Sequence, residues 1–334
     1  MGRATIDDVA REAGVSLATV SRALRGLPNV SPVTRQRVMA AAESLHYRPD
    51  PAASRLAAGS TQTVAVLGPG FHSWYVGGIL AGVESVLSRR GFDLLLRAAT
   101  RETPTGVVDA LMAVRGRVDG VILVDVNLEE EEVEPAVALG LPLVTLGSRA
   151  PGFDSITVAN REAAAAVAHH LANLGHRRIG LVDGDPDLAM AFSASFERRD
   201  GFREGLAEHD LEPVATADGG FSVQGGVEAF AEIMAMPERP TAVFCLSDEM
   251  ALGFLAAARR HGIDVPGDLS VVGFDDHDLA RVSGLTTVRQ SVADLGALAA
   301  RRVLSRVVEG GGPIDEVIEV GLVVRETTGR APDS

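Results

Sequence analysis

Asp125, Asp183, Ser247 and Asp275 each stand at or just after the end of a short apolar run. Carboxylates and a hydroxyl so placed suit hydrogen bonding to a polar small molecule, because ligands sit outside the strand C-termini of open α/β sheets. A second group lies near the N-terminus. Leu17, Ala18, Ser21, Arg22 and Arg25 fall on one face of a helix. Small side chains with guanidinium groups suit close approach to base edges and phosphates. Neither group is a nucleophile–base set. All 31 basic residues are Arg. A Walker A loop, a kinase ATP lysine, a Schiff-base lysine and a Ser–Lys dyad are therefore excluded.

Other chemical signals fail on inspection. Gly68-Pro69-Gly70 follows a strand, but position 73 is Ser where a dinucleotide fingerprint needs Gly. Asp183, Asp185 and Asp187 have EF-hand spacing, yet Leu188 and Ala194 stand where Gly and Glu are required. His169 and His170 are adjacent and point to different helix faces, so with His176 they suit surface or packing roles. Neither a metal nor another cofactor is expected. Cys245 is the only cysteine, which excludes an intrachain disulfide and fits a reducing compartment.

Charge divides the chain. Residues 1–60 carry +3 and residues 61–334 carry −17, within a total of −14. A basic head suits a polyanion, and an acidic body repels one. The 334 residues suggest two or three domains. The first twenty residues hold Asp7, Asp8 and Glu12 without an apolar run, unlike a signal peptide. No stretch is apolar and long enough to span a membrane. A cytoplasmic protein with no membrane partner is expected.

The elements that position the head follow from local signals. Thr5 and Asp8 form a capping box, and Gly14 suits a left-handed helix end. Ser16 caps a second helix, and Ser31-Pro32 opens a third. Two short helices joined by a tight turn and braced by a third predict a helix-turn-helix. Asp50 to Gly59 predicts a further helix of two turns, marginal alone in water. Its Leu56 suits packing on the body or wedging into a DNA minor groove.

Thr5–Leu24 (TIDDVAREAGVSLATVSRAL), Ser31–Arg37, Tyr47-Arg48-Pro49 and Leu56-Ala57 resemble the lac/gal repressor family of bacterial transcription regulators. The resemblance implies that Leu17, Ala18 and Arg22 read bases. It implies that Thr5, Ser16, Thr19, Ser21 and Asn29 touch or orient the DNA backbone. Leu56 matches the family's minor-groove leucine, on a hinge helix that orders on operator DNA. Arg25 departs from the usual Asn. Since the chain has no Lys, basic phosphate contacts fall to guanidinium groups, with Arg3, Arg22, Arg25, Arg35, Arg48 and Arg55 as candidates.

From Thr63 onward, apolar runs alternate with amphipathic stretches. Strands are predicted at 63–67, 92–96, 120–124, 143–146, 178–182, 241–246 and 269–274, with helices between. This predicts an α/β protein with two lobes of parallel sheet covered on both faces. Leu174-Gly175-His176, Asp248–Gly253, Val265–Asp276 and Leu285–Val288 extend the resemblance to the family's effector domain, of the type I periplasmic-binding-protein-like fold. It implies a reader at 1–49, a hinge at 50–61 and an effector domain at 62–334. The N-lobe takes 62–160 and 290–320; the C-lobe takes 161–289 and 321–330.

Several pocket positions carry over from the resemblance. Arg198 matches an arginine that binds effector hydroxyls or carboxylates, Asp275 an aspartate that grips sugar hydroxyls, and Phe221 an aromatic that stacks on the ligand. Ser247, Gln290, Arg149, and Trp74 or Tyr75 in a loop complete the set. An aromatic face beside Asp, Arg, Ser and Gln suits a sugar. The expectation is a non-enzymatic repressor: a homodimer on double-stranded palindromic operator DNA, released by a small-molecule effector, a sugar or sugar derivative. The chain stops soon after its last strand without leucine heptads, which favours a dimer over a tail-tetramerised form. A non-sugar effector, a co-repressor and a cytosolic solute-binding protein are the alternatives.

Overall fold

The computed structural model describes residues 4–24, 26–47, 60–99, 106–184 and 193–332. The expected hinge helix at 50–59 lies outside the described residues. The chain divides into two compact units, Met1–Thr61 and Gln62–Ser334.

In the first unit, the Thr5 hydroxyl accepts from the Asp8 amide at 3.3 Å, while Asp8 Oδ2 accepts from the Thr5 amide at 2.9 Å. This closes the start of α1 (Ile6–Ala13), and Gly14 ends it at φ 60°. A side chain at Gly14 would be strained in that left-handed conformation. Ser16 Oγ accepts from the Thr19 amide at 3.2 Å and opens α2 (Leu17–Leu24). Ser31 caps α3 (Pro32–Ser44). Val9, Val20 and Val38, one from each helix, are fully buried where the three meet.

The second unit begins with β1 (Thr63–Gly68), α4 (Trp74–Leu87), β2 (Asp93–Ala98), α5 (Gly106–Val114), β3 (Gly120–Val124), α6 (Glu130–Ala138), β4 (Leu143–Leu146) and β5 (Asp154–Val158). It continues with α7 (Asn160–Asn173), β6 (Ile179–Asp183), α8 (Ser193–Ala207), β7 (Ala215–Asp218), α9 (Val223–Met234), β8 (Ala242–Cys245), α10 (Asp248–Arg260), β9 (Ser270–Asp275) and α11 (Asp278–Ser283). Last come β10 (Thr286–Arg289), α12 (Val292–Glu309), β11 (Asp315–Ile318) and β12 (Gly321–Val323).

These strands form two six-stranded sheets, ordered β11-β5-β4-β3-β1-β2 and β12-β10-β9-β8-β6-β7. Alternate residues of β1 face opposite cores. Val64 and Val66 pack with α4 and α12, while Ala65 and Leu67 pack with α5 and α6. The chain passes between the sheets after β5, after β10 and after β11. One strand breaks the expected parallel pattern. β12 pairs with β10 antiparallel, with Gly321 opposite Arg289. β10 runs toward the crossing and β12 runs away from it, so their directions oppose.

His176 has a packing role. It is fully buried and hydrogen-bonds Thr241 Oγ1 (2.9 Å), Ser270 Oγ (3.1 Å) and the Gly329 carbonyl (3.1 Å). Burial lowers its pKa, which favours the neutral ring.

Candidate DNA-reading face and ligand cleft

On α2, Leu17, Ala18 and Arg22 are exposed, while Val20 and Ala23 turn inward. Thr19 and Ser21 are half-buried at the margin of that face. The Thr5 and Ser16 hydroxyls are engaged in caps, so their helix starts present backbone amides as well. Asn29 is exposed at φ 70°. Arg3, Arg25, Arg48, Arg55 and Leu56 lie outside the described residues.

Arg35 departs from its expected place among the phosphate contacts. Its Nη1 donates to the Ala23 carbonyl at 3.2 Å and its Nη2 to the Leu27 carbonyl at 2.8 Å. Those carbonyls lie at and beyond the C-terminal end of α2, where helix acceptors lack partners. Arg35 thus braces α2 from α3. Arg35→Ala is expected to lower the head's melting temperature and weaken DNA binding while leaving the salt slope unchanged. A slope shallower by about one phosphate would return Arg35 to the DNA contacts.

The larger unit gathers polar groups at its strand ends. Arg198, on α8, is only 6% exposed. Its Nε donates to Asn160 Oδ1 at 2.9 Å and its Nη1 to the Leu246 carbonyl at 2.7 Å. Nη1 also reaches Asp275 Oδ1 at 3.5 Å, and the guanidinium lies 3.7 Å from the centre of the Phe274 ring. Gln290 Nε2 donates to the same Asp275 oxygen at 2.5 Å. Asp275 ends β9 at φ 125°, a strained conformation for a side-chain-bearing residue. Burial raises its pKa to about 6, against the opposing pull of Arg198.

The first sheet contributes Asp125 and Tyr75. Asp125 follows β3 at φ 50°, and its amide donates to the Leu146 carbonyl at 2.8 Å. Burial raises its pKa to about 7, with Arg198 lowering it and Asp275 raising it. Burial also pushes the Tyr75 hydroxyl well up, and the charges of Asp125, Arg198 and Asp275 all reach it. Residues from the two sheets therefore share one electrostatic environment. The loop expected for Trp74 and Tyr75 is instead the first turn of α4, capped by Ser73. That helix start turns the two aromatics to different partners. The Trp74 indole donates to Asp278 Oδ2 at 3.0 Å, and its ring lies 4.5 Å from that of His277. Trp74 thus joins the lobes beside the cluster.

The remaining expected residues divide. Ser247 is buried and caps α10 through the Met250 amide. Phe221 sits at φ 49° with its ring against Gly184, where a Cβ would overlap it. Asp183 ends β6 and pairs with Arg199 at 3.5 Å; Asp185 and Asp187 lie outside the described residues. Arg149 is exposed, and among the described residues no hydrogen bond or ion pair joins it to the cluster.

The sequence reading missed two supports. Asn160 orients Arg198, and Asp248 accepts from Thr287 Oγ1 (2.6 Å) and the His277 amide (2.7 Å). Both open helices, and an Asn or Asp there reads as ordinary capping chemistry.

The raised acids have a pH consequence. Between about pH 4 and pH 7, folded Asp125 holds a proton that the unfolded chain releases. Its contribution to stability is therefore lost as pH rises through that window. Asp125→Asn should gain melting temperature relative to the native chain from pH 5 to pH 8. A pH-independent difference would show that Asp125 titrates normally.

A helix-turn-helix unit and a two-lobed α/β unit with a buried polar cluster define a class of DNA-binding regulator. Residues 5–50 match the bacterial regulatory proteins of the lacI family, and residues 168–328 match a periplasmic binding protein-like domain. Catabolite control protein A of Priestia megaterium is 33% identical over 304 residues, covering 89% of this chain and 90% of that one. The crystal structure of the lac repressor dimer bound to operator and the anti-inducer ONPF is similar at a TM-score of 0.87 and 28% identity, covering 98% of this chain and 100% of that one. A complex of the transcriptional regulator CelR with cellobiose is 32% identical with a TM-score of 0.68, covering 97% and 100%. The chain belongs to the lacI family of bacterial regulatory proteins, which regulate transcription by binding DNA. No helix among the described residues is long and apolar enough to cross a membrane.

Proposed function

We propose that the chain is a cytoplasmic repressor without enzymatic activity. It binds a palindromic operator as a homodimer and lets go when a sugar enters the cleft. Residues 1–49 act as the reader, 50–61 as the hinge and 62–334 as the effector domain. Leu17, Ala18 and Arg22 read bases; Thr5, Ser16, Thr19, Ser21, Asn29, Arg25 and Arg55 position the backbone; Leu56 opens the central step. Arg198, Asp275, Gln290, Tyr75, Phe221 and Ser247 hold the effector, with Trp74 at the seam and Arg149 at the rim.

The observation that carries this reading is the Arg198–Asp275–Gln290 cluster facing Asp125 and Tyr75 across the two lobes. A ligand held by both lobes changes their relation, and two sites coupled through one two-state element make a switch. The lac repressor bound to operator and CelR bound to cellobiose support the two partners proposed.

The test is selection of genomic fragments with the purified chain, followed by anisotropy titrations on the enriched duplex. Binding should be sequence-specific and fall with salt at a slope of about −0.9 per phosphate neutralised. Sugar should release the duplex. Sugar binding with no DNA affinity would sink the regulator in favour of a solute-binding protein.

A further inference from the structure

We propose that the cleft accepts a hydroxyl-rich ligand without an anionic group, and that Asp125 excludes its phosphorylated or carboxylated forms. The proposal rests on the reading of the cleft as the effector site, and narrows the chemistry of what enters it.

The cluster holds two carboxyl groups, Asp125 and Asp275, and one guanidinium, Arg198. That guanidinium gives Nε to Asn160 and Nη1 to the Leu246 carbonyl and Asp275, so its charge is already paired with a carboxyl. Neighbouring arginines are committed as well. Arg199 pairs with Asp183, while Arg289 and Arg325 both pair with Asp276. Arg149 is exposed. Within the larger unit, the segments outside the described residues add no net positive charge: 185–192 carries two acids and no base, 100–105 carries one of each, and 333–334 carries one acid. A phosphate brings up to two negative charges and only acceptor oxygens. It would lose its water shell against acids, with no buried cation among the described residues that lacks a carboxylate partner.

Hydrogen-bond polarity points the same way. Gln290 gives its amide N–H to Asp275 and leaves Oε1 buried, with no partner among the described residues. A buried acceptor in that state is costly until a donor reaches it. Above about pH 7, where Asp125 and Asp275 are ionised, both carboxylates accept, and so does this carbonyl oxygen. A ligand hydroxyl can donate to all of them; a phosphate or carboxylate oxygen cannot.

Asp125 is also held in place. Its backbone is pinned at φ 50°, with its amide bonded to the Leu146 carbonyl. Its carboxyl packs directly on Gly147, where any Cβ would overlap Oδ1. The acid is thereby kept in the shared environment of Tyr75, Arg198 and Asp275. Asparagine at position 125 would keep the shape and remove the charge.

The test uses the full chain at pH 8, where Asp125 is ionised, and matched pairs: glucose with glucose 6-phosphate, ribose with ribose 5-phosphate, galactose with galacturonate, and cellobiose with cellobionate. Binding is read by thermal shift and by the fluorescence of Trp74, the only tryptophan. At least one neutral sugar should bind, with its anionic partner weaker by about 100-fold. Asp125→Asn, checked for folding by its unliganded melting curve, should narrow that ratio by about tenfold. An anionic member binding as tightly as its neutral partner overturns the charge rule while leaving the effector site standing. An unchanged ratio in Asp125→Asn overturns the role of Asp125. A panel in which neither member of any pair binds overturns the sugar reading and the proposal together.

Discussion

Arg198→Met is expected to abolish ligand-driven release of operator while leaving operator affinity without ligand unchanged. Among the described residues, Arg198 is the one cation in the shared environment of Tyr75, Asp125 and Asp275. Methionine preserves much of the volume and the packing on Phe274. It removes the donors to Asn160 Oδ1 and the Leu246 carbonyl, so two buried acceptors lose their partner. It also removes the charge that holds down the pKa values of Asp125 and Asp275, and both should rise further. Breaking a buried pair by removing one member costs about 3–5 kcal/mol. Even the lower bound corresponds to a ligand affinity weakened by about 100-fold, if the bound state needs the same geometry.

The head has its own core, in which Val9, Val20 and Val38 meet, and Arg198 is not part of it. The two effects therefore separate. Melting of the larger unit should fall, and duplex anisotropy should stop responding to ligand. Arg198→Lys should recover the charge but not the three-way geometry, giving an intermediate response. A full response in Arg198→Met would remove this residue from the effector site.

The second large effect concerns stability, and it reverses sign within one helix. Gly77 and Gly82 both lie in α4. A Cβ at Gly77 meets open space, whereas a Cβ at Gly82 would overlap the Ala293 carbonyl oxygen of α12. The contact is reciprocal, since a Cβ at Gly296 of α12 would overlap the Ile79 carbonyl of α4. Backbone cannot rotate aside as a side chain can, so the helices would have to separate. Gly82→Ala should therefore cost about 3 kcal/mol, at the upper end for overpacking. For a unit of this size that is a loss of roughly 6–12 °C in melting temperature. Gly77→Ala should stabilise by about 0.5–1 kcal/mol, because alanine has the better helix propensity. Equal shifts at both positions would contradict the close crossing of α4 and α12.

The parts of the fold that sequence reveals are those whose causes are local. Thr5 with Asp8, Gly14, Ser16 and Ser31-Pro32 each satisfy backbone groups within a few residues, so the head's helix boundaries are legible. The apolar runs of β1, β3, β4, β8 and β9 are legible because each is buried on both faces. β5 is not, because its DSITV segment has no apolar run. Its buried Asp154 is offset by Arg306, which pairs with it at 2.5 Å from α12, far along the chain. The start of α4 was misplaced as a loop, although Ser73 stood ready as its cap.

The kind of protein is written along the chain: a basic helix-turn-helix head and an acidic α/β body, with no lysine for the catalytic schemes that need one. Capping, periodicity and charge act over a few residues and can be read there. How the polar residues are used depends on the fold. The fold turned Arg35 into a brace, left Arg149 exposed, and set Trp74 across the lobes. It also brought Asp125 into the electrostatic reach of Arg198 and Asp275. Burial and pairing depend on which distant segments share a low-dielectric space, and no spacing along the chain encodes that.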